Sequence, residues 1–141
     1  MGAADSIEKA LMIYDAMHKR AVDHALTYFS YENVLTTDVQ DEANQLPTEY
    51  ALIKQFNTVL DPSTVSGNQR RQHSTLIVEY NVTNAKHRQG LILQTQLAHH
   101  MSAESLSHLG VAIASITTND YNNTHGAKFV TVIDFNYLVR V

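Results

Sequence analysis

The sequence predicts an α+β fold. We expect a mostly antiparallel sheet with an N-terminal helix and a second, central helix packed on one face, closed by a C-terminal β-hairpin. Three observations predict it. Residues 6–27 repeat apolar side chains at steps of three and four, the spacing of one helix face. "STLIVEYNVT" and "KFVTVIDFNYLVRV" alternate side-chain character, the period of a half-buried strand. Between them, "AKHRQGLILQTQLAHHM" returns to a helical period. Strands gathered on either side of one helix make a layered α+β arrangement.

The bounds agree with a single domain. A chain of 141 residues has the length of one domain and can bury a sizeable core. Apolar residues at 44% against 17% charged place it with globular rather than disordered chains. A net charge of -4 argues against a general nucleic-acid binder, which is usually basic. The absence of cysteine removes disulfides, thiolate zinc sites and a cysteine nucleophile. Asp5, Glu8 and Lys9 interrupt the apolar run a signal peptide needs, and no apolar run approaches the roughly 18 residues of a membrane span. Met1-Gly2 with Ser6 matches a myristoylation string, a motif short enough to arise by chance.

In order, the first helix puts Ile7, Ala10, Leu11, Tyr14, Met17, His18 and Ala21 on one face, with Asp5 or Ser6 as its cap. "YFSYENVLTT" reads as a short strand and the acidic "DVQDEANQLP" as a loop. Residues 48–60 read as a strand, with a short helix as the rival. "DPSTVSGNQRRQH" is a second loop by its Asp-Pro and Ser-Gly-Asn turn signals. The next strand turns Leu76, Val78, Tyr80 and Val82 to one face and Ile77, Glu79 and Asn81 to the other. Asn84 caps the central helix, residues 85–101, whose buried stripe is Gly90, Leu93, Leu97 and Met101. Glycine costs about 1 kcal/mol against alanine in a helix interior, so Gly90 suggests close approach to the sheet. "SAESLSHLG" adds a helical turn, "VAIASITT" a strand, and "NDYNNTHGA" a hairpin loop.

The last segment carries Phe129, Thr131, Ile133, Phe135, Tyr137, Val139 and Val141 on its core face. Val130, Val132, Asp134, Asn136, Leu138 and Arg140 take the other. Fourteen extended residues would reach roughly 45 Å, beyond the usual strand. Either this strand bends or bulges within one sheet, or one end or edge meets a neighbouring subunit.

Reaction chemistry has no signature here. The pair His99–His100 diverges by about 100° on a helix, and there is no HExxH, GxGxxG, P-loop or GxSxG pattern. Asp38, Asp41, Glu42 and Glu49 lack calcium-loop spacing. The sequons at Asn81 and Asn122 read as chance matches. No catalytic, cofactor-binding or metal-ligating residue is predicted. "MHKR" and "QRRQH" are solvated basic faces or contacts to phosphate or an acidic partner.

The layout resembles the tail-terminator, or tail-completion, proteins of long-tailed bacteriophages, the lambda-type tail-tube cap family. The resemblance rests on the N-terminal helix, the aromatic "YFSYENV", the long polar loop, "RRQHSTLIVEYNV", "NAKHRQGLILQTQLAHHM" and the closing "VAIASITTNDYNNTHGAKFVTVIDFNYLVRV". It spans nearly the whole chain and carries no catalytic or ligand motif. It implies a non-enzymatic virion protein without cofactor, assembled in the host cytoplasm. Such a protein would form a homo-oligomeric ring, a hexamer, on the head-proximal end of the tail tube, ending tube polymerisation. Its partners would be the tail-tube protein and the head–tail connector or stopper. DNA would pass through the lumen without specific binding, and no membrane would be involved. A closed heterologous ring needs two different adhesive surfaces per subunit. Candidate contact residues are Asp38, Asp41, Glu42, Arg70, Arg71, His73, Asp134, Asn136 and Arg140.

Three alternatives stay open. One is another neck component, such as a head-completion protein. Another is a small ligand-binding or NTF2-like enzyme domain, with Asp134, Tyr137 or His73 lining a pocket. A generic dimerisation module is the third. For the enzyme reading, Asp134 should sit in a closed apolar cavity; for the ring, at an interface or in solvent.

Overall fold

The computed structural model describes residues 3–36, 47–66, 69–102, 110–123 and 126–140. Helix α1 covers Ala3–Ala25, strand β1 Val34–Leu35, β2 Tyr50–Ser66, β3 Gln69–Val82, helix α2 His87–Met101, β4 Ala112–Asn123 and β5 Gly126–Arg140. Short 3-10 turns, Tyr31–Asn33 and Asn84–Lys86, lead into β1 and α2. The five strands form one sheet in the order β1-β2-β3-β5-β4. Only the two-residue β1 runs parallel to its neighbour; every other pairing is antiparallel. The α+β expectation therefore holds, with both helices on one face of the sheet.

The core lies between that face and the helices. α1 contributes Ile13, Met17, Ala21 and Ala25, and α2 contributes Leu93, Leu97 and Met101. They meet Leu76, Val78, Tyr80 and Val82 of β3, and alternate residues Ala127 to Val139 of β5. The central helix keeps its expected stripe, Gly90, Leu93, Leu97 and Met101. A Cβ added to Gly90 would stand 2.1 Å from a ring carbon of Phe129. Only a glycine lets α2 lie this close to β5.

Several expectations need correction. α1 rests on Ile13, Met17 and Ala21, whereas Leu11 is 55% exposed; the stripe is rotated because Ala10 to Ile13 is a continuous apolar run with two possible faces. "YFSYENVLTT" is mostly turn, with strand pairing confined to Val34 and Leu35. The second loop is largely strand: β2 runs through Ser66 and β3 begins at Gln69. Register shifts between Leu60 and Thr64 absorb Asp61-Pro62-Ser63, since bulges accommodate a proline that cannot donate to the ladder. "NDYNN" likewise belongs to β4, which pairs as far as Asn123↔Gly126. The acidic loop and the turn expected after α2 lie outside the described residues.

β5 sits inside the sheet. It pairs with β3 without a shift from Val82↔Ala127 to Gln69↔Arg140. On its other side β4 accompanies it only as far as Asn136, with one register shift near Ile113. The last residues of β5 thus have a strand neighbour on one side alone among the described residues. There Lys9 Nζ donates to the Leu138 carbonyl at 2.6 Å.

Candidate subunit interface

The sheet face away from the helices is organised in cross-strand rows. Residues directly opposite share a face, with Cβ atoms about 5 Å apart. One row is Tyr50, Asn81, Lys128 and Tyr121. The next is Leu52, Glu79, Val130 and Asn119, followed by Lys54, Ile77, Val132 and Thr117. Higher still come Thr75, Asp134 and Ser115, and then His73, Asn136 and Ala112. Most of these side chains are half-buried or exposed, although Leu52 is only 6% exposed.

Four of the sequence-predicted contact residues converge here. Arg71 Nη1 donates to Asn136 Oδ1 at 2.7 Å, with His73 exposed beside them. Asp134 accepts from Thr75 Oγ1 at 2.7 Å and from Ser115 Oγ at 3.0 Å. The result is a hydrogen-bonded polar band across β3, β5 and β4. Thr75 and Ser115 were missed by sequence reasoning, because a hydroxyl on a strand becomes informative only when a carboxylate is placed opposite it. Arg70 is not part of the band: strand alternation turns it to the helix side, where its Nε is buried without a partner among the described residues. Arg140 pairs through its main chain with Gln69. Asp38, Asp41 and Glu42 lie outside the described residues.

The pocket alternative is not assembled as expected. Asp134 and Tyr137 project from opposite faces of β5, and Tyr137 is buried among the helices, donating nothing to the Asp134 band. Instead Gln72 Nε2 donates to the Tyr137 hydroxyl at 3.0 Å, and burial raises its phenol pKa. A hollow of about 370 Å³ does open at the opposite end of the sheet, lined by Tyr50, Asn81, Gly126 and Lys128 among others. Asn81 Nδ2 is buried there without a partner among the described residues. Burial first, and then the Glu79 charge, raise the Tyr50 pKa and keep its phenol protonated.

The histidines divide as helix geometry requires. His99 faces outward, while His100 is half-buried and meets α1. His100 Nε2 donates to the Arg20 carbonyl at 3.0 Å, and Arg20 Nη2 donates back to the His100 carbonyl. No group of three His, Asp or Glu able to hold a metal ion occurs among the described residues. No described helix is long and apolar enough to cross a membrane.

Two sheet edges complete the geometry. Beyond Leu52, the outer edge of β2 has no strand neighbour among the described residues, and neither does that of β4. β4 carries one charged side chain, Asp120, and one irregularity near Ile113, but no proline or lysine, so from Ile116 to Asn119 its edge has no charge or proline to keep it from pairing.

No protein-family model matches the chain, and no curated protein is significantly similar to it.

Proposed function

We propose that this protein is a ring-forming structural subunit of a virion. In this reading it caps the head-proximal end of a phage tail tube, ends tube polymerisation and joins the tail to the head connector. The single observation that carries the ring is the pair of edges, on β2 and β4, that have no strand neighbour among the described residues. β2, β3, β5 and β4 alternate in direction, so β4 of one copy runs antiparallel to β2 of a copy added beside it. Repeated addition continues the sheet, and a constant rotation closes it. The band of Arg71, Asn136, Thr75, Asp134 and Ser115 then lies on one wall of the assembly, away from the helices. The tail assignment itself comes from the resemblance in layout.

The test is native mass over a concentration series, alone and with tail tubes. A hexamer, or a monomer that becomes hexameric at tube ends, supports the reading. Edge pairing is probed by Thr117→Pro and Thr118→Pro. On an antiparallel strand, consecutive N–H groups point to opposite sides, so one of these variants spares the β5 ladder and blocks only the outer edge. That variant should fold and fail to assemble. A stable dimer indifferent to both would overturn the ring.

One observation favours a second reading, a ligand-binding domain: the hollow beside Tyr50, Asn81 and Lys128, with an Asn81 amide that has no partner among the described residues. Thermal-shift screening with small carboxylates and phosphates tests it. A saturable rise in Tm, lost in Asn81→Leu, would support that reading over a purely structural one.

A further inference from the structure

The two helices carry matching outward ridges. On α1, Glu8, Leu11, Met12 and Asp15 follow one another at i, i+3, i+4 and i+7. On α2, Arg88, Leu91, Ile92 and Thr95 repeat that spacing, and His99 extends it by another turn. Residues so spaced form one ridge on a helix. The apolar members stand in solvent: Leu11 and Met12 are 55% and 52% exposed, Leu91 and Ile92 40% and 41%. Those on α2 flank a shallow trough of about 360 Å³. Each helix thus presents a pair of adjacent large apolar side chains to solvent.

The ridges also have opposite charge. Glu8 and Asp15 bracket the apolar pair on α1, whereas α2 has no acidic residue at all and begins its ridge with Arg88. Glu8, Asp15 and Arg88 have no ion-pair partner among the described residues. Lys19, one turn further along α1, is already held by Asp23 at 3.0 Å.

We propose that a second copy of this chain docks here, with α1 of one subunit lying antiparallel on α2 of the next. Antiparallel register sets Leu11 and Met12 against Ile92 and Leu91. It brings Asp15 to Arg88 and leaves Glu8 opposite Thr95. The parallel alternative pairs Glu8 with Arg88 and leaves Asp15 opposite Thr95, but it also sets Lys19 against His99, opposing two basic groups. Ridge-into-groove packing of such helices needs small offsets only. The acidic ridge and Arg88 set the register, the Lys19–His99 opposition disfavours the parallel orientation, and the apolar pairs supply the contact. This contact uses the helix layer and stands independently of the sheet edges proposed for ring closure.

Sedimentation velocity and native mass spectrometry of the full chain, over a concentration series, provide the test. Wild type should self-associate. Leu91→Asp with Ile92→Asp should leave it monomeric or, where the edges still pair, remove one step of the assembly. Arg88→Glu and Asp15→Arg should each weaken association at least about ten-fold, a change of about 1.4 kcal/mol. The two reversals combined in one chain should recover it. All these side chains are exposed, so circular dichroism and thermal unfolding should match wild type. Whichever of Thr117→Pro and Thr118→Pro spares the β5 ladder should retain this contact, which separates its failure from failure of the ring. Association indifferent to the Leu91/Ile92 change, no recovery in the double reversal, or a monomer at every concentration overturns the proposal. So does docking of a different protein on this ridge without self-association.

Discussion

His24 Nδ1 lies 2.6 Å from the Tyr80 hydroxyl, joining the last turn of α1 to the middle of the sheet. The imidazole is 7% exposed, and its ring stacks near Tyr80 and beside His100. Burial raises the Tyr80 pKa, so the phenol stays protonated. It therefore donates, and a neutral His24 accepts. Burial, and secondarily the charge of His100, lower the His24 pKa from 6.5 to about 4.

That bond makes stability depend on pH. Between pH 6.5 and about 4 the unfolded chain protonates His24 and the folded chain does not. Where the unfolded state binds more protons, stability falls as pH falls. The stability present above pH 6.5 should decline through this window by on the order of 2–3 kcal/mol from this residue. Urea unfolding of wild type and His24→Gln at pH 7 and pH 4.5 isolates it from the other histidines. Equal pH slopes in the two proteins would contradict this account. Tyr80→Phe should cost about 1 kcal/mol at pH 7, the usual loss for one hydrogen bond.

Gly90→Ala inverts a helix rule. On an exposed helix this change stabilises by nearly 1 kcal/mol. Here the new methyl would meet the Phe129 ring, itself 1% exposed. Overpacking of a core costs about 1–3 kcal/mol. Net destabilisation of about 1 kcal/mol should follow, lowering Tm by roughly 3–5 °C for a chain of this size. A rise in Tm would mean that Phe129 can move aside.

Asp134→Ala should destabilise by about 1–2 kcal/mol, because Thr75 and Ser115 each lose a carboxylate acceptor. Asp134→Asn keeps an acceptor and should recover at least half of that. By contrast Lys19→Ala removes only an exposed ion pair, with side chains 77% and 52% exposed, and should change stability by less than about 0.5 kcal/mol. Chemical denaturation of the three variants side by side checks the ranking.

The candidate interface was only partly legible. Arg71, His73, Asp134 and Asn136 could be named from the sequence as polar residues near an apolar strand, yet nothing in their order showed that β3 and β5 bring them together in one band. Arg70 was grouped with Arg71 by adjacency, and alternation sent it to the other face. The hydroxyls on Asp134 come from positions 59 and 19 residues away, a distance at which local pattern carries no signal. Asp61-Pro62 and "NDYNN" read as turns because Pro, Asp and Asn favour turns in isolation. Long pairing with β3 and β5 overrode that preference, with bulges taking up the misfit.

What the sequence determined by itself was periodicity: the α2 stripe from Gly90 to Met101, the alternation along β3 and β5, and hence the α+β class. These follow from the backbone's own repeat, since side-chain direction is set locally by helix or strand geometry. Tertiary structure alone decided which face of α1 is buried, how far the hairpins extend and which polar groups meet. Leu11 and Ile13 are equally apolar, and only the shape of the sheet surface chose Ile13. That choice depends on the packing of residues far apart in the chain, where close-packed volume rather than local preference selects among alternatives.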